Sequence, residues 1–237
     1  MTIELRSLVV RYRKALALAD VSLSIPQGAV FALLGRNGAG KSSLLKVLLG
    51  LRRQDGGACS VLGLDPWRQR ASLMARIGAT PEAPDAPPSM TIAAIERTVS
   101  ALHKSWSGED FGARLERFDI DRRRRFGQLS RGQKSLVMLA LALAHRPELL
   151  LLDDPTLGLD PVARRHFFEE LVVDLADRGT TVFLATHDLD GVQRVATHVG
   201  MLDKGRVVAD GPIDDVRAGL DLEERFVALL GGEWSAA

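Results

Sequence analysis

Leu34-Gly35-Arg36-Asn37-Gly38-Ala39-Gly40-Lys41-Ser42-Ser43 is the stretch that decides how this chain is read. Its spacing is G-x-x-x-x-G-K-[ST]. Before it, residues 29–34 form a short apolar run of buried-strand type. After it, Leu44, Leu45, Val47, Leu48 and Leu49 crowd a helix that Gly50 can end. Glycines let consecutive backbone N–H groups curl round phosphate oxygens where side chains would obstruct. The following helix points its positive end at the same anion. On this reading Lys41 reaches the β- and γ-phosphates and the Ser42 hydroxyl holds Mg²⁺. A Gly-rich turn between strand and helix needs no ligand by itself. Lys-Ser in register, with a strand before and a helix after, makes it a nucleotide site.

Working outward, residues 149–154 are the second landmark. Four leucines followed by Asp153 and Asp154 suit a central parallel strand whose carboxyl end emerges at a ligand crevice. At such a strand end Asp153 would hold Mg²⁺ beside Ser42, and Asp154 would orient or deprotonate an attacking water. Asp160-Pro161 reads as an N-cap followed by proline in the first turn, opening a helix to about Asp177 with Phe168, Leu171, Val172 and Leu175 as its buried stripe. Residues 181–185 are another buried strand, and His187 sits just past its end. Residues 199–209 read as a hairpin turning at Lys204-Gly205, with a short helix after Asp214 and a polar tail beyond. Upstream, residues 2–34 read as strands. Tyr12, the only tyrosine, either packs in the core or stacks on a base with Arg11 or Arg13 beside it.

Between the two landmarks the character changes. Residues 83–88 hold three prolines in six, which excludes regular helix and central strand and leaves a semi-stiff loop. From Thr91, a helix cap, to His145 the pattern is helical, so residues 83–146 read as a helical insertion in an α/β core. Arg122-Arg123-Arg124-Arg125 within it reads as a solvated face rather than a nucleic-acid patch, because charge elsewhere is balanced. Ser130 and Gln133 form an S-x-x-Q capping box. That is a well-capped helix start, and the same geometry is an anion site.

Bulk properties bound the possibilities. At 237 residues with 46% hydrophobic and 26% charged content, the chain suits one large α/β domain or a domain with an insertion. A net charge of +1 gives no reason to expect bulk attachment to nucleic acid or anionic lipid. Cys59 is the single cysteine, so no intrachain disulfide forms and a reducing cytosol is expected. Glu4, Arg6, Arg11 and Arg13 interrupt the N-terminal apolar residues, against a signal peptide. The longest apolar run, residues 136–144, is nine residues, far short of a membrane span. Any service to a membrane passes through a partner.

Taken together these stretches resemble the nucleotide-binding subunit of ATP-binding cassette (ABC) transporters, from about Ile3 to Leu220. Tyr12 matches the adenine-stacking aromatic. Residues 35–43 match Walker A, with Gly35, Arg36, Asn37, Gly38, Ala39, Gly40, Lys41, Ser42 and Ser43 as the ATP-binding set. Glu82 falls at the Q-loop position, where it can ligate Mg²⁺ directly or through water. Ser130, Arg131, Gly132 and Gln133 belong to the signature, here LSRGQ. Residues 149–154 match Walker B, residues 157–160 with Asp160 the D-loop, and His187 the switch histidine. The resemblance implies a P-loop cassette fold: a mostly parallel core sheet with an N-terminal antiparallel β part and an inserted helical subdomain. The α/β core would be residues 1–82 and 147–220, the helical subdomain 83–146 and the tail 221–237. It further implies a head-to-tail homo- or heterodimer around two ATP–Mg²⁺. In it Ser130 and Gly132 of one subunit face the γ-phosphate bound by Lys41 of the other. The dimer would be peripheral on the cytoplasmic face and would drive a transmembrane permease. Glu82, Arg131 and Asp154, standing where glutamine, glycine and glutamate are usual, match exporter-like cassettes. Asp154 also leaves room for a hydrolysis-poor gating subunit. A soluble cassette outside transport is the third reading, and the chain has neither the tandem repeat nor the coiled-coil insertion of that class.

Overall fold

The computed structural model describes residues 1–231, and the side chains of all of these except 175–177. In chain order the elements are β1 (Ile3–Tyr12), β2 (Ala15–Ile25), β3 (Val30–Leu34), α1 (Lys41–Leu48), β4 (Gly56–Val61), α2 (Arg70–Met74), β5 (Ile77–Thr80), α3 (Ile92–Ser100), α4 (Gly108–Arg117), α5 (Arg131–Leu143), β6 (Leu149–Asp153), α6 (Pro161–Arg178), β7 (Thr181–Thr186), α7 (Leu189–Val195), β8 (His198–Asp203), β9 (Arg206–Pro212), α8 (Ile213–Arg217) and α9 (Leu222–Leu230). This is an α/β fold in two compact units, Met1–Leu73 with the chain from Thr181 onward, and Met74–Thr180.

In the first unit β1 lies between β2 and β4, antiparallel to both. β3 lies between β7 and β8, parallel to both, and β9 pairs antiparallel with β8. Every residue of β3 and β7 is buried, which is why both read as unbroken apolar runs rather than alternating ones. Phe31 and Phe183 face each other across that pairing, ring centroids 5.6 Å apart. The β8–β9 hairpin turns at Lys204-Gly205, with φ 45° and 78°, the left-handed pair that a two-residue hairpin needs. The expected polar tail is instead largely α9. Asp221 accepts from Glu223 N (2.9 Å) and Glu224 reaches back to Asp221 N (3.1 Å), and that box starts a helix whose Leu222 and Phe226 turn inward. Residues 232–237 of the tail lie outside the described residues.

In the second unit β5 and β6 pair in parallel. Thr91 caps α3 through Ala94 N (3.2 Å) and Ser107 caps α4 through Asp110 N (3.1 Å). The expected stripe of α6 holds at Phe168 and Leu171 but not at Val172, which is 48% exposed; Leu175 falls among the side chains outside the described set. The helix buries Phe167, Glu170 and Asp174 instead, because α4 meets it with charge. Arg114 donates to Glu170 Oε2 (2.5 Å) and Asp174 Oδ1 (2.8 Å), Arg117 Nε sits 3.1 Å from Glu170 Oε1, and Arg178 bridges Asp174 and Asp110 (3.0 and 2.8 Å). Three cations thus meet three carboxylates between α4 and α6 within the second unit.

The arginine run is likewise not a uniform solvated face. Arg122 pairs with Glu96 (3.3 Å) and donates to Gly108 O (2.9 Å), and Arg124 donates to Gln133 Oε1 (3.3 Å) and Gln128 O (2.8 Å). Only Arg123 and Arg125 of the four are exposed. The other two tie α3, α4 and the start of α5 together.

Candidate nucleotide site

The first unit carries the phosphate loop between β3 and α1. Arg36, Asn37 and Gly38 form its exposed tip, and Ala39 is buried. Gly40 is the N-cap of α1 with φ 115°. A Cβ there would lie 2.6 Å from Ala17 O, and one at Gly35 would lie 2.5 Å from Leu202 O. The backbone is therefore packed too closely at both points for any side chain. No side chain caps α1 and no acid stands in its first turn, so the helix's own residues leave its positive end to the loop. Lys41 is 6% exposed, and its Nζ donates to Gly35 O (2.7 Å) and Arg36 O (3.4 Å). The ammonium is drawn over the loop, where a β- or γ-phosphate oxygen would meet it. Ser42 and Ser43 follow in the first turn of the helix.

Tyr12 ends β1 and is 39% exposed, open to stacking rather than packed in the core. The cation beside it is neither Arg11 nor Arg13. Arg52 lies 5.7 Å from the ring centroid, held by Arg11 O (3.0 Å) and Asp55 Oδ2 (2.8 Å), whereas Arg13 lies in the β1–β2 connection with φ 52°. The local sequence carries no signal for Arg52, which comes from beyond α1. His187 follows β7 directly, half-buried, and Asp188 caps α7 through Gly191 N (3.0 Å).

The second unit carries the acids and the signature. Asp153 is the last residue of β6. Asp154 follows at 9% exposure with φ 38°, a left-handed conformation that aspartate tolerates better than most residues. Glu82 is exposed, two residues past β5. The capping box forms as read: Gln133 N donates to Ser130 Oγ (3.1 Å) and Ser130 N to Gln133 Oε1 (3.2 Å). Asp160 Oδ1 accepts from Val162 N (2.9 Å) and Ala163 N (3.0 Å), capping α6. Signature and D-loop come together in this unit, since a Cβ on Gly132 would lie 2.8 Å from Ala163 Cβ and 3.8 Å from Asp160 Oδ2. Of the residues expected to hold Mg²⁺, Ser42 lies in the first unit and Asp153 and Glu82 in the second; each offers oxygen, the donor type that Mg²⁺ takes.

A model of the ABC transporter family matches residues 18–157. Among curated relatives, the chain is 30% identical over 201 residues to the bacitracin transport ATP-binding protein BcrA of Bacillus licheniformis, covering 83% of this chain and 65% of that one. It is 33% identical over 227 residues to the Nod factor export ATP-binding protein I of Neorhizobium galegae, covering 90% and 62%. It is 35% identical over 217 residues to a fluoroquinolones export ATP-binding protein of Mycobacterium tuberculosis, covering 90% and 71%. The chain thus spans less than two thirds of the bacitracin and Nod factor relatives. Among solved structures, an ATP-binding subunit of an ABC transporter superposes with a TM-score of 0.87 at 29% identity, covering 97% of this chain and 99% of that one. cbiO1 of Clostridium perfringens, part of the transporter complex cbiONQ, gives 0.78 at 27%, covering 96% and 94%. The glycine loop, the leucine strand ending in acids, the capped signature helix and a family match running through all three agree: this chain belongs to the ABC transporter family.

Proposed function

We propose that this chain is the ATP-binding and ATP-hydrolysing subunit of an exporter, working as a homo- or heterodimer that closes around two ATP–Mg²⁺ and drives a separate transmembrane permease. The observation that carries the reading is the pair of anion-binding helix starts. One is the α1 start, uncapped by any side chain and adjoined by the buried Lys41. The other is the exposed Ser130 at the start of α5. A twofold pairing lets each copy offer the second to a nucleotide held by the first of the other copy.

Within one site, Tyr12 stacks on the adenine and residues 35–43 wrap the phosphates. Ser42 and Asp153, with Glu82 directly or through water, would hold Mg²⁺, which would supply charge neutralisation at the phosphates. Asp154 orients the attacking water or takes its proton, and His187 positions the γ-phosphate. No described helix is long and apolar enough to cross a membrane; the proposed subunit would sit on the cytoplasmic face through its permease. The relatives' names cite bacitracin, Nod factor and fluoroquinolones. Three unrelated cargoes named for similar cassettes support a reading in which the permease, not this subunit, chooses the cargo. The short, left-handed Asp154 favours a second reading, a nucleotide-clamped subunit that turns over poorly and gates its partner.

Dimerisation is tested by solution mass with ATP and Mg²⁺ in an Asp154→Asn background that slows hydrolysis. The expected result is an ATP-dependent dimer that Ser130→Arg prevents while ATP binding by the monomer persists. A monomer under every condition, the permease included, would defeat the sandwich.

A further inference from the structure

Arg131 occupies the first position of α5, and no acid stands in that turn. A cation there works against the helix dipole, so its place needs another reason. One is visible on the D-loop of the same chain. Gly158 has φ 69°, and a Cβ added to it would lie 2.8 Å from Arg131 Nη1, 3.0 Å from Cζ and 3.2 Å from Nε. The guanidinium plane therefore fills the space that a side chain at residue 158 would take. It covers a turn held by two backbone bonds, Leu157 N to Asp154 O and Leu159 N to Thr156 O, both 3.1 Å. One residue on, Gly132 lies against Ala163 at the start of α6, where a Cβ would come within 2.8 Å.

We infer that Arg131 is a positioning residue that latches the D-loop to the signature turn of its own chain, so that both move as one body when ATP is engaged. The link to turnover rests on the dimeric reading above; the latch itself does not. Its chemistry is planar packing of a guanidinium over a glycine. That is something arginine supplies and the compact ammonium of lysine does not.

The test uses Arg131→Ala, Arg131→Lys, Gly158→Ala and the Arg131→Ala/Gly158→Ala double variant of the full chain. In nucleotide-free protein, hydrogen exchange at the Leu157 and Leu159 amides should quicken about tenfold in both Arg131 variants. ATP turnover should fall in kcat while ATP affinity of the monomer stays unchanged, because the loop that binds the chain's own ATP is untouched. Gly158→Ala should quicken exchange at the same two amides in the native chain. That effect should shrink about tenfold once Arg131 is alanine, since backbone strain at φ 69° is common to both backgrounds and cancels from the cycle. Unchanged exchange, unchanged kcat, full rescue by lysine, or an equal effect of Gly158→Ala in both backgrounds would each overturn the latch. Failure of the native chain to dimerise would strike the dimeric reading and leave the nucleotide-free exchange result standing.

Discussion

His145, at the end of the signature helix, should make the second unit lose stability in acid. Its ring stacks on His103 with centroids 3.9 Å apart, and its Nε2 lies 3.1 Å from Ile77 O. Burial first, and the neighbouring His103 second, push the His145 pKa down from 6.5 to about 4. The unfolded chain then binds a proton over a pH range in which the folded chain refuses it. The contribution is full above pH 6.5 and drains as pH falls towards 4. On that scale roughly 2 kcal/mol should be lost as pH falls from 7 to 4.5, a sizeable part of a typical domain's margin. The assay is urea unfolding followed by Trp106 fluorescence with Trp67 and Trp234 changed to Phe, repeated across that range. His145→Gln should flatten the pH slope by about this amount while carboxylate titration continues in both proteins. Equal slopes for the native chain and His145→Gln would refute the reasoning.

Lys41→Ala should abolish ATP hydrolysis and weaken nucleotide binding about a hundredfold, as expected when a buried cation paired with phosphate is removed; titration calorimetry checks it, and undiminished turnover would sink the nucleotide site. Asp154 places its carboxylate about 1.5 Å short of where glutamate would reach, a misplacement that costs on the order of a hundredfold in rate. Slow phosphate release that Asp154→Asn removes is therefore expected, and equal inactivity of the two with turnover restored by Asp154→Glu would assign the chain to the gating reading.

What the sequence disclosed is what short-range chemistry controls. Ser130 with Gln133, Thr91, Asp160 and the Lys204-Gly205 turn were readable because cap and turn need only neighbours within about four residues. The β3, β6 and β7 runs were readable because strands covered on both faces leave no alternation to misread. Asp221 with Glu224 carried the same kind of capping signal, and the polar character of the C-terminal stretch hid it. Partners from far along the chain stayed illegible. Arg114 meets Glu170 and Asp174 across 56 and 60 residues, so an acid on α6 gave no sign of facing inward. Arg52 reaches Arg11 and Tyr12 across 41 and 40 residues, and only the folded chain brings that neighbour to the end of β1. Pattern alone likewise assigned Arg122 and Arg124 to solvent, since the acid, carbonyls and amide that hold them sit on other turns.

These long-range contacts give the second unit its mechanical character. A buried ion network adds little net stability, because desolvation offsets most of the attraction, yet losing one member strands a buried charge at about 3–5 kcal/mol. Such a network resists sliding more than apolar packing does, since each guanidinium fork fits its carboxylates in few orientations. Arg114 holds α4 on α6, Arg124 ties the arginine run to Gln133, and Gly132 lets α5 close on Ala163. A displacement applied to α3 or α4 is therefore carried to Ser130 and to the D-loop together rather than absorbed between them. On the function proposed above, in which the state of a γ-phosphate drives a permease, stiffness along that path would matter more than the last increment of stability. It also explains why charge, rather than a wider apolar stripe, lines the inner face of α6.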